Sequence, residues 1–248
     1  LALTGAISHL TKGLELVGSL PPSPERDGKE LELRTLLGMA WMALRGWAAP
    51  EIWSSLYPAL ALAESLGRND ALLPILSGLC MNLHNQGRVA EALQWMEKML
   101  AAADATGDVR LRIGAHANAV VSYFWLGKLT TAREHGDKLL AFTVEAGRDR
   151  TALDGMASTY GGAMTGMGCC ASQWTWMFGY PDQAVRICEE KDRIAREHGD
   201  PWNLALALGG LGSWLFEYRG EPEVLFARAD ACERIGRENS LSFFFEVQ

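Results

Sequence analysis

Five short turns that each contain a glycine recur along this 248-residue chain at a nearly constant spacing. The turn glycines follow one another at intervals of about 40 residues, with one longer interval, and a second set of glycines lies near the middle of each interval. A fixed period of this size is typical of a solenoid, in which each unit packs against the next and the core grows along one axis. The turn glycines are Gly46, Gly87, Gly127, Gly179 and Gly220, and the second set is Gly67, Gly107, Gly147, Gly199 and, less regularly, Gly236.

Between these glycines the apolar residues recur at helical spacing, as in the stripe Leu72, Leu76, Leu79 and Leu83. Such i, i+3, i+4, i+7 patterns indicate amphipathic helices rather than strands. Prolines lie near the predicted starts of several helices, and proline is favoured at the first helical position. The glycines of the second set lie just past the predicted helix ends, where a left-handed residue closes the last turn. We predict helices over 2–19, 28–45, 50–66, 70–86, 89–106, 109–126, 129–146, 164–178, 181–198, 201–219 and 222–237.

The sequence therefore predicts an all-α fold, a right-handed superhelix (α-solenoid) of helix-turn-helix repeats of about 40 residues. We expect residues 1–248 to form a single domain that is a fragment of a longer protein, because the chain starts inside a predicted helix and without Met. The interval from Gly147 to Gly179 is about half as long again as its counterparts in the other repeats, and it is rich in glycine. This excess predicts a loop inserted near 148–163, which is either a functional projection or a tolerated surface insertion.

Charge and composition exclude several classes of protein. The net charge of -7 and the pI of about 5.3 argue against a nucleic-acid-binding protein, which needs a basic face. No apolar run reaches the roughly 18 residues of a membrane span, and no signal peptide precedes the first helix. The five cysteines have no zinc-type spacing, which suits reduced, buried thiols. We therefore expect a cytoplasmic protein that binds neither nucleic acid nor membrane.

The sequence contains no pattern of residues that would support catalysis. The P-loop and HExxH motifs are absent, and the five histidines have no i, i+4 partner that would form a metal pair. The adjacent Cys169 and Cys170 are poorly placed for a disulfide with each other, and we expect both to lie in the interior. We therefore predict a non-enzymatic protein without a cofactor or a metal site.

Positions around the turn glycines resemble the tetratricopeptide (TPR) pattern. Five residues after the glycine lies a small residue, and four residues before it lies a large one, although Thr175 fits poorly. The small residues are Ala92, Ala132 and Ala184, and the large ones are Leu83, Tyr123 and Phe216. The period of this chain exceeds that of the TPR, so its helices must be longer.

The whole chain more closely resembles the TPR-like repeat region that follows the ATPase module in bacterial signalling proteins, which are fusions with an adenylate/guanylate cyclase or a winged-helix domain. The strings that carry this resemblance are AISHLTKGLELVGSLPPSPERDGKELELRTLLG, RGWAAPEIWSSLYPALALAESLG, GYPDQAV and HGDPWNLALALGGLGSWLFEYRGEP. The chain also distantly resembles the helical repeats in the sensor domain of the maltose-regulon activator. The resemblance implies a region that senses a partner or ligand, passes that state to the ATPase and holds no catalytic residues.

Aromatic and polar side chains near the turn glycines are the candidates for a binding groove. Tryptophans lie in the last turns of the first helices of the repeats, which line the concave groove in TPR-like superhelices. Rings at these positions are suited to stack on a peptide, a sugar or a partner helix, although large residues at helical spacing also commonly fill a core. The groove candidates are Trp41, Asn82, His84, Asn85, Asn118, Ser122, Trp125, Trp174 and Trp176.

We therefore expect a non-catalytic protein-binding or sensor repeat domain of a bacterial signal-transduction ATPase or adenylate cyclase-type regulator. Its partner would be a protein or peptide, or the ATPase or cyclase module of its own parent protein. A small-molecule sensor that encloses a sugar or peptide in the concave groove is the alternative. An assembly scaffold with weak self-association through the apolar tail Leu241, Phe243, Phe244 and Phe245 is a further reading.

Overall fold

The computed structural model describes residues 2–147, 168–241 and 244 of the chain. Every regular element in these residues is a helix, and none is a strand, which confirms the all-α class. None of the helices in this described part has the length and apolar character needed to cross a bilayer. The chain divides into two compact units, Leu1–Leu111 (unit 1) and Arg112–Gln248 (unit 2). That residues 1–248 act as one repeat domain stays a prediction.

Unit 1 is built from five complete helices, each packed against the next in the chain. They are α1 (Ala2–Gly18), α2 (Pro24–Arg45), α3 (Pro50–Ser65), α4 (Leu72–Asn85) and α5 (Val89–Thr106), with a short 3₁₀ turn at Asn69–Ala71 before α4. The core between them consists of the apolar stripes seen in the sequence, including the fully buried Leu31, Ile52, Leu56, Ile75 and Leu79. Because each helix buries one stripe against its neighbours, the unit depends on packing between successive helices.

Helix α2 begins four residues before its predicted start at residue 28 because Ser23 caps it. The Ser23 Oγ accepts a hydrogen bond from the backbone N–H of Arg26 at 3.1 Å. Pro24 occupies the first helical position, and Glu25 and Asp27 lie in the first turn, where carboxylates interact favourably with the helix dipole.

Unit 2 continues the succession of helices. Its helices are α6 (Val109–Trp125, which begins at the end of unit 1), α7 (Leu129–Gly147), α8 (168–177), α9 (Pro181–His198), α10 (Pro201–Leu208), α11 (Gly210–Tyr218) and α12 (Pro222–Glu238). The predicted loop at 148–163 lies outside the described residues. The predicted helix at 164–178 agrees with the structure over the part that is described.

The turn glycines adopt the backbone conformation that the repeat pattern predicts. Eight of the glycines from the two sets have φ between 64° and 86°, which is the left-handed region that other residues rarely adopt. In four turns the residue after the glycine donates its backbone N–H to the carbonyl five residues earlier, at 2.9–3.1 Å. This is the closing hydrogen bond of a Schellman-type helix end. These bonds are Arg88 to Leu83, Lys128 to Tyr123, Tyr180 to Thr175 and Glu221 to Phe216.

The helix predicted over 201–219 is wrong in one respect, because it breaks into α10 and α11 at Gly209. Gly209 is extended, with φ of -89° and ψ of -175°, so carbonyls at the end of α10 are left without helical partners. The side chains of Lys191 and Arg228 donate to the Ala207 carbonyl, both at 2.8 Å. The hydroxyl of Ser213 donates to the carbonyl of Leu208. Tertiary hydrogen bonds therefore replace the helical ones at the break.

The break also requires glycine at position 212. A Cβ atom there would lie 1.8 Å from the Ala207 carbonyl oxygen, which is far inside van der Waals contact. We expect Gly212→Ala to lower the free energy of unfolding by about 3 kcal/mol, because the backbone of the break must move to relieve the clash. Urea unfolding followed by circular dichroism measures this change.

Gly28→Ala is the matched control, because Gly28 is a helical glycine with open space where its Cβ would be. We expect this control to raise the stability by about 0.5–1 kcal/mol through the better helix propensity of alanine. Equal effects of the two substitutions would show that the break at Gly209 is not closely packed.

Candidate functional site

Helix α11 carries two aromatic residues on one face, and each contacts an aromatic residue from a different helix. Trp214 and Tyr218 lie one helical turn apart, at i and i+4. The ring of Trp214 meets that of Trp125, at the end of α6, edge to face with a centroid distance of 5.3 Å. The ring of Tyr218 lies 6.5 Å from that of Trp176, near the end of α8. The four rings therefore form one surface on unit 2, which we call the aromatic surface.

Much of the aromatic surface is open to solvent. Trp125 is 44% exposed and Tyr218 is 41% exposed, which is a large fraction for aromatic side chains in a folded protein. The residues after Trp176 extend the exposed apolar area, since Met177, Phe178 and Tyr180 are all exposed. Exposed apolar patches of this kind mark sites of interaction with proteins or ligands.

The underside of this surface is fixed by the core of unit 2. Trp176 and Phe216 pack against a cluster of buried residues, Ala184, Cys188 and Leu215. The guanidinium group of Arg228 lies over the ring of Phe216 at 4.7 Å, in cation–π geometry. The rings are thus held in place before any partner binds, which lowers the entropic cost of binding.

The local sequence explains why these rings reach the surface. Trp125, Trp176 and Tyr218 each lie two or three residues before a turn glycine, in the last turn of their helices. Each of these turns ends with the same backbone hydrogen bond. Trp125 and Tyr218 lie two residues before the glycine and so occupy equivalent places, whereas Trp176 lies three residues before it. Of the predicted groove residues, the structure brings Trp125 and Trp176 to this surface.

Three predicted groove residues of unit 2 lie in its interior instead, which corrects the expectation that they line a surface. Trp174 is buried, and its ring packs so closely on Gly136 that a Cβ there would lie 3.3 Å away. The amide of Asn118 donates to the carbonyl of Gly114, one turn earlier in α6, at 2.9 Å. Ser122 is fully buried. The helical pattern places these positions on the inner face of their helices.

Asn82 of unit 1 is also buried, and it holds a turn together. Its side-chain amide donates to the carbonyls of Trp47 at 2.7 Å and Ala49 at 2.9 Å. Its carbonyl oxygen accepts a hydrogen bond from the Gln86 side chain at 3.1 Å. These bonds tie the loop between α2 and α3 to the end of α4. Asn82 is therefore used within the fold and does not reach a surface.

The other predicted residues of unit 1 lie in different environments. Asn85 is exposed, and its side chain donates to the Met81 carbonyl at 2.8 Å. Trp41 is half-buried against a cluster of Ile7, Leu37 and Ala40. His84 is buried, which corrects the expectation that it lines a groove, and burial lowers its pKa to about 4. For the exposed and half-buried candidates, contact with a partner stays a prediction.

Sequence reasoning missed a second aromatic cluster, in unit 1. Trp53 and Tyr57 of α3 stack at 5.2 Å, and the ring of Trp95 from α5 meets both edge to face, at 5.5 and 6.1 Å. Lys98 lies over the Trp95 ring at 5.8 Å. The i, i+4 spacing of Trp53 and Tyr57 was the available signal. This cluster lies on the second helices of the repeats, whereas the predicted groove lies on the first helices.

Sequence reasoning also missed a buried ionic network in unit 2. Lys191 is only 2% exposed, and its ammonium group lies 3.1 Å from the Asp192 carboxylate. Arg228 binds both oxygens of the same carboxylate, at 2.5 and 3.1 Å. Both cations also donate to the carbonyl of Gly212, beyond the helix break. The available signal was the position of Lys191, which lies at helical spacing in a stripe with Ala184, Cys188 and Ala195.

The network neutralises part of its own charge. Burial by itself would raise the pKa of Asp192, but hydrogen bonds from Arg228 and the charge of Lys191 outweigh it, so the pKa lies below its usual value. The remaining positive charge faces the carbonyls around the helix break, which carry partial negative charge. One carboxylate and several carbonyls thus stabilise two buried cations.

The five cysteines all lie in the interior of the protein. All five are buried thiols outside any disulfide, as expected for Cys169 and Cys170. Burial raises the pKa of Cys169, Cys170 and Cys188, which keeps them as neutral thiols. In the described part of the chain no group of three His, Cys, Asp or Glu side chains is arranged to hold a metal ion.

We expect Asp192→Asn to lower the free energy of unfolding of the protein by about 3–5 kcal/mol, because two buried cations lose their only counter-charge in the network. Chemical denaturation at neutral pH measures this loss. Glu190→Gln is the control, since Glu190 forms an exposed ion pair with Arg193 on the same helix. If the Asp192 variant is as stable as the wild type, the backbone carbonyls alone are enough to stabilise the two buried cations.

His84 makes the stability depend on pH. Its pKa is about 4 in the folded chain and near 6.5 when unfolded, so the unfolded state binds more protons between these values. Stability that is present above pH 6.5 is therefore lost as the pH falls toward 4. We expect this residue to remove about 2 kcal/mol between about pH 7.5 and about pH 5.

Denaturation of the wild type and of His84→Gln at both pH values measures this difference. The glutamine variant lacks the titrating ring, so its stability should fall less on acidification. A parallel fall in both proteins would show that His84 is protonated equally in the two states.

Comparison with known proteins gives one result on the fold. No protein-family model and no curated protein sequence matches the chain. Among solved structures, the chain is similar to the crystal structure of BtubC (BKLC) from P. vanneervenii, with a TM-score of 0.61 and 19% sequence identity. The match covers 97% of this chain and 93% of that chain. At this level of identity the likeness concerns the fold alone.

Proposed function

We propose that this chain is a non-catalytic, protein-binding helical-repeat domain that captures its partner on the aromatic surface of unit 2. The observation that carries the proposal is the ring pair of Trp125 and Trp214, in which an exposed tryptophan is held edge to face on a second ring. Tryptophan and tyrosine are enriched at the energetic centres of protein interfaces. A peptide or partner helix laid across these rings would bury apolar area that water now contacts.

The repeated turns support a regular arrangement of hairpins. Four turns share one hydrogen-bond pattern and the left-handed glycine, at the spacing seen in the sequence. We propose that the hairpins follow one another as TPR-like repeats in a right-handed superhelix. In this arrangement the last turns of the first helices share one side, which is the side that the aromatic surface occupies.

The resemblance to signalling ATPases suggests what the binding does. We propose that the chain is a cytoplasmic sensor region of a bacterial signal-transduction ATPase or cyclase-type regulator. A partner that binds one conformation of the repeats better than another would shift the equilibrium between conformations of the attached module. The catalytic chemistry would then belong to that module, and this region would supply the input.

Selection of peptides tests the proposal. A displayed library of random peptides, each about four helical turns long, is selected on the full chain, and the enriched peptides are measured by fluorescence anisotropy. We expect Trp125→Ala and Tyr218→Ala to weaken binding of these peptides by about tenfold or more, as for residues at the centre of an interface. Tyr57→Ala, which removes a similarly exposed tyrosine from unit 1, is the matched control and should leave the affinity unchanged.

Two results would contradict the proposal. Equal binding by the wild type and the Trp125 variant would show that the aromatic surface is not the site. If no peptide binds the chain, and one sugar from a panel of sugars and nucleotides gives a saturable thermal shift, the small-molecule sensor would be favoured instead. A ligand at about 100 times its dissociation constant adds roughly 2.7 kcal/mol of stability, which such an assay detects readily.

A further inference from the structure

A second surface of unit 2, separate from the aromatic one, forms an open groove along α12. The groove has a volume of about 540 Å³ and runs between α12, α10 and the end of α9. On α12 its lining extends from Glu223 to Ile235, which corresponds to three turns or about 18 Å of helix. Its floor is apolar and consists of Leu204, Leu208, Val224, Ala227, Ala231 and Ile235.

Three of the four charged residues that line the groove form no ion pair or side-chain hydrogen bond within the described part of the chain. Arg196 and Arg234 line the groove, and neither forms an ion pair or a side-chain hydrogen bond with any described residue. The same holds for Glu223. Arg228 also reaches the groove, but its guanidinium group is bound to Asp192. Arg196 and Arg234 therefore place two positive charges at the groove that no carboxylate of the described residues pairs with.

The two arginines lie at one end of the groove and the glutamate lies at the other. Arg228 donates to the carbonyl of Ala207, and the thiol of Cys232 to that of Ala205, so α10 runs antiparallel to α12. The start of α10 therefore lies beside the end of α12, where Arg234 is. Arg196 lies five residues before Pro201, the first residue of α10, and so belongs to the same end. Glu223, in the first turn of α12, marks the opposite end.

From this arrangement we propose that the groove binds an amphipathic helix of a partner protein, with acidic residues in its first turn, antiparallel to α12. Its apolar stripe would lie on the floor, at the i, i+3, i+4, i+7 spacing typical of helices bound in grooves. Its first-turn carboxylates would pair with Arg196 and Arg234, and a basic residue in its last turn would pair with Glu223. This order of charges is also the order that the dipole of a helix favours.

The shape of the groove favours a helix over a small organic anion. A pocket for a small molecule encloses most of its ligand. Half of the residues lining this groove are themselves exposed, including Arg196, Val224, Ala227 and Arg234. An open trough of three helical turns with charges at its two ends matches the length and polarity of a helix.

The buried ionic network keeps this groove in shape. Arg228 projects from α12, and its bonds to Asp192 of α9 and to the end of α10 tie together the three helices that form the walls. The groove thus exists before binding, as a preformed site needs to. The proposal concerns a different surface from the aromatic one, and neither depends on the other.

A library with defined helical pattern tests the proposal. Peptides of about 16 residues, long enough for the three turns of groove, carry a fixed leucine and alanine stripe. Their first-turn and last-turn positions are each Glu, Ala or Lys. The library is selected on the full chain, on Arg196→Ala/Arg234→Ala and on Arg133→Ala/Arg186→Ala. The last variant is the matched control, because it removes two exposed arginines that also lack ion pairs among the described residues but lie outside the groove.

We expect the wild type and the control to enrich glutamate in the first turn and lysine in the last. An enriched peptide should bind about tenfold more weakly to Arg196→Ala/Arg234→Ala, since the variant removes both ion pairs to the first turn of the peptide. The charge-reversed variant Arg196→Glu/Arg234→Glu should instead enrich lysine in the first turn. This reversal separates direct pairing from a general loss of fold.

Three results would overturn the proposal. Enrichment without preference for charge would remove the role of the arginines. A preference for lysine in the first turn of peptides selected on the wild type would place the helix in the opposite direction. If the selected peptides bind the arginine variants normally but no longer bind Trp125→Ala, helices bind the aromatic surface and not the groove. In that case the proposed function would stand and the groove would be excluded as the binding site.

Discussion

The backbone hydrogen bond that closes four of the five glycine turns is the interaction on which the rest of the structure depends. It joins the residue after the glycine to the carbonyl five residues earlier, and it recurs with nearly the same length in four turns. Because the glycine is left-handed, the chain reverses sharply and the next helix packs back on the one before. The same turn fixes where the last helical residues point. Trp125 and Tyr218, each two residues before its glycine, reach the surface as a consequence of this geometry.

A single buried carboxylate organises much of unit 2 around the place where the repeat pattern fails. Asp192 holds Lys191 and Arg228, and these cations bond to the carbonyls that the break at Gly209 leaves free. The break separates α10, which forms a wall of the groove, from α11, which carries Trp214 and Tyr218. Removing the carboxylate would therefore disturb both candidate surfaces. Stability and the shape of the binding surfaces depend here on the same few groups.

The candidate residues show how far local patterns reach. The position of Trp125 and Trp176 before a turn glycine predicts an aromatic surface, and the structure places both there. The same reasoning fails for Asn82, Ser122 and Trp174, which are buried. Position along a helix is visible in the sequence, but the face that a neighbour covers depends on how the helices pack. Asn82 illustrates this, since its partners are carbonyls of the loop before α3, far from it in the chain.

By itself the sequence determined the all-helical class, the places where most helices begin and end, and the left-handed turns, because periodicity, proline and glycine act locally. It also predicted that Cys169 and Cys170 lie inside. Only the tertiary structure decided that the helix after Pro201 breaks at Gly209, that Lys191 is buried beside Asp192 and Arg228, and that Arg196 and Arg234 share one end of a groove. These features depend on contacts between residues far apart in the chain, whose free energies outweigh local helix propensity.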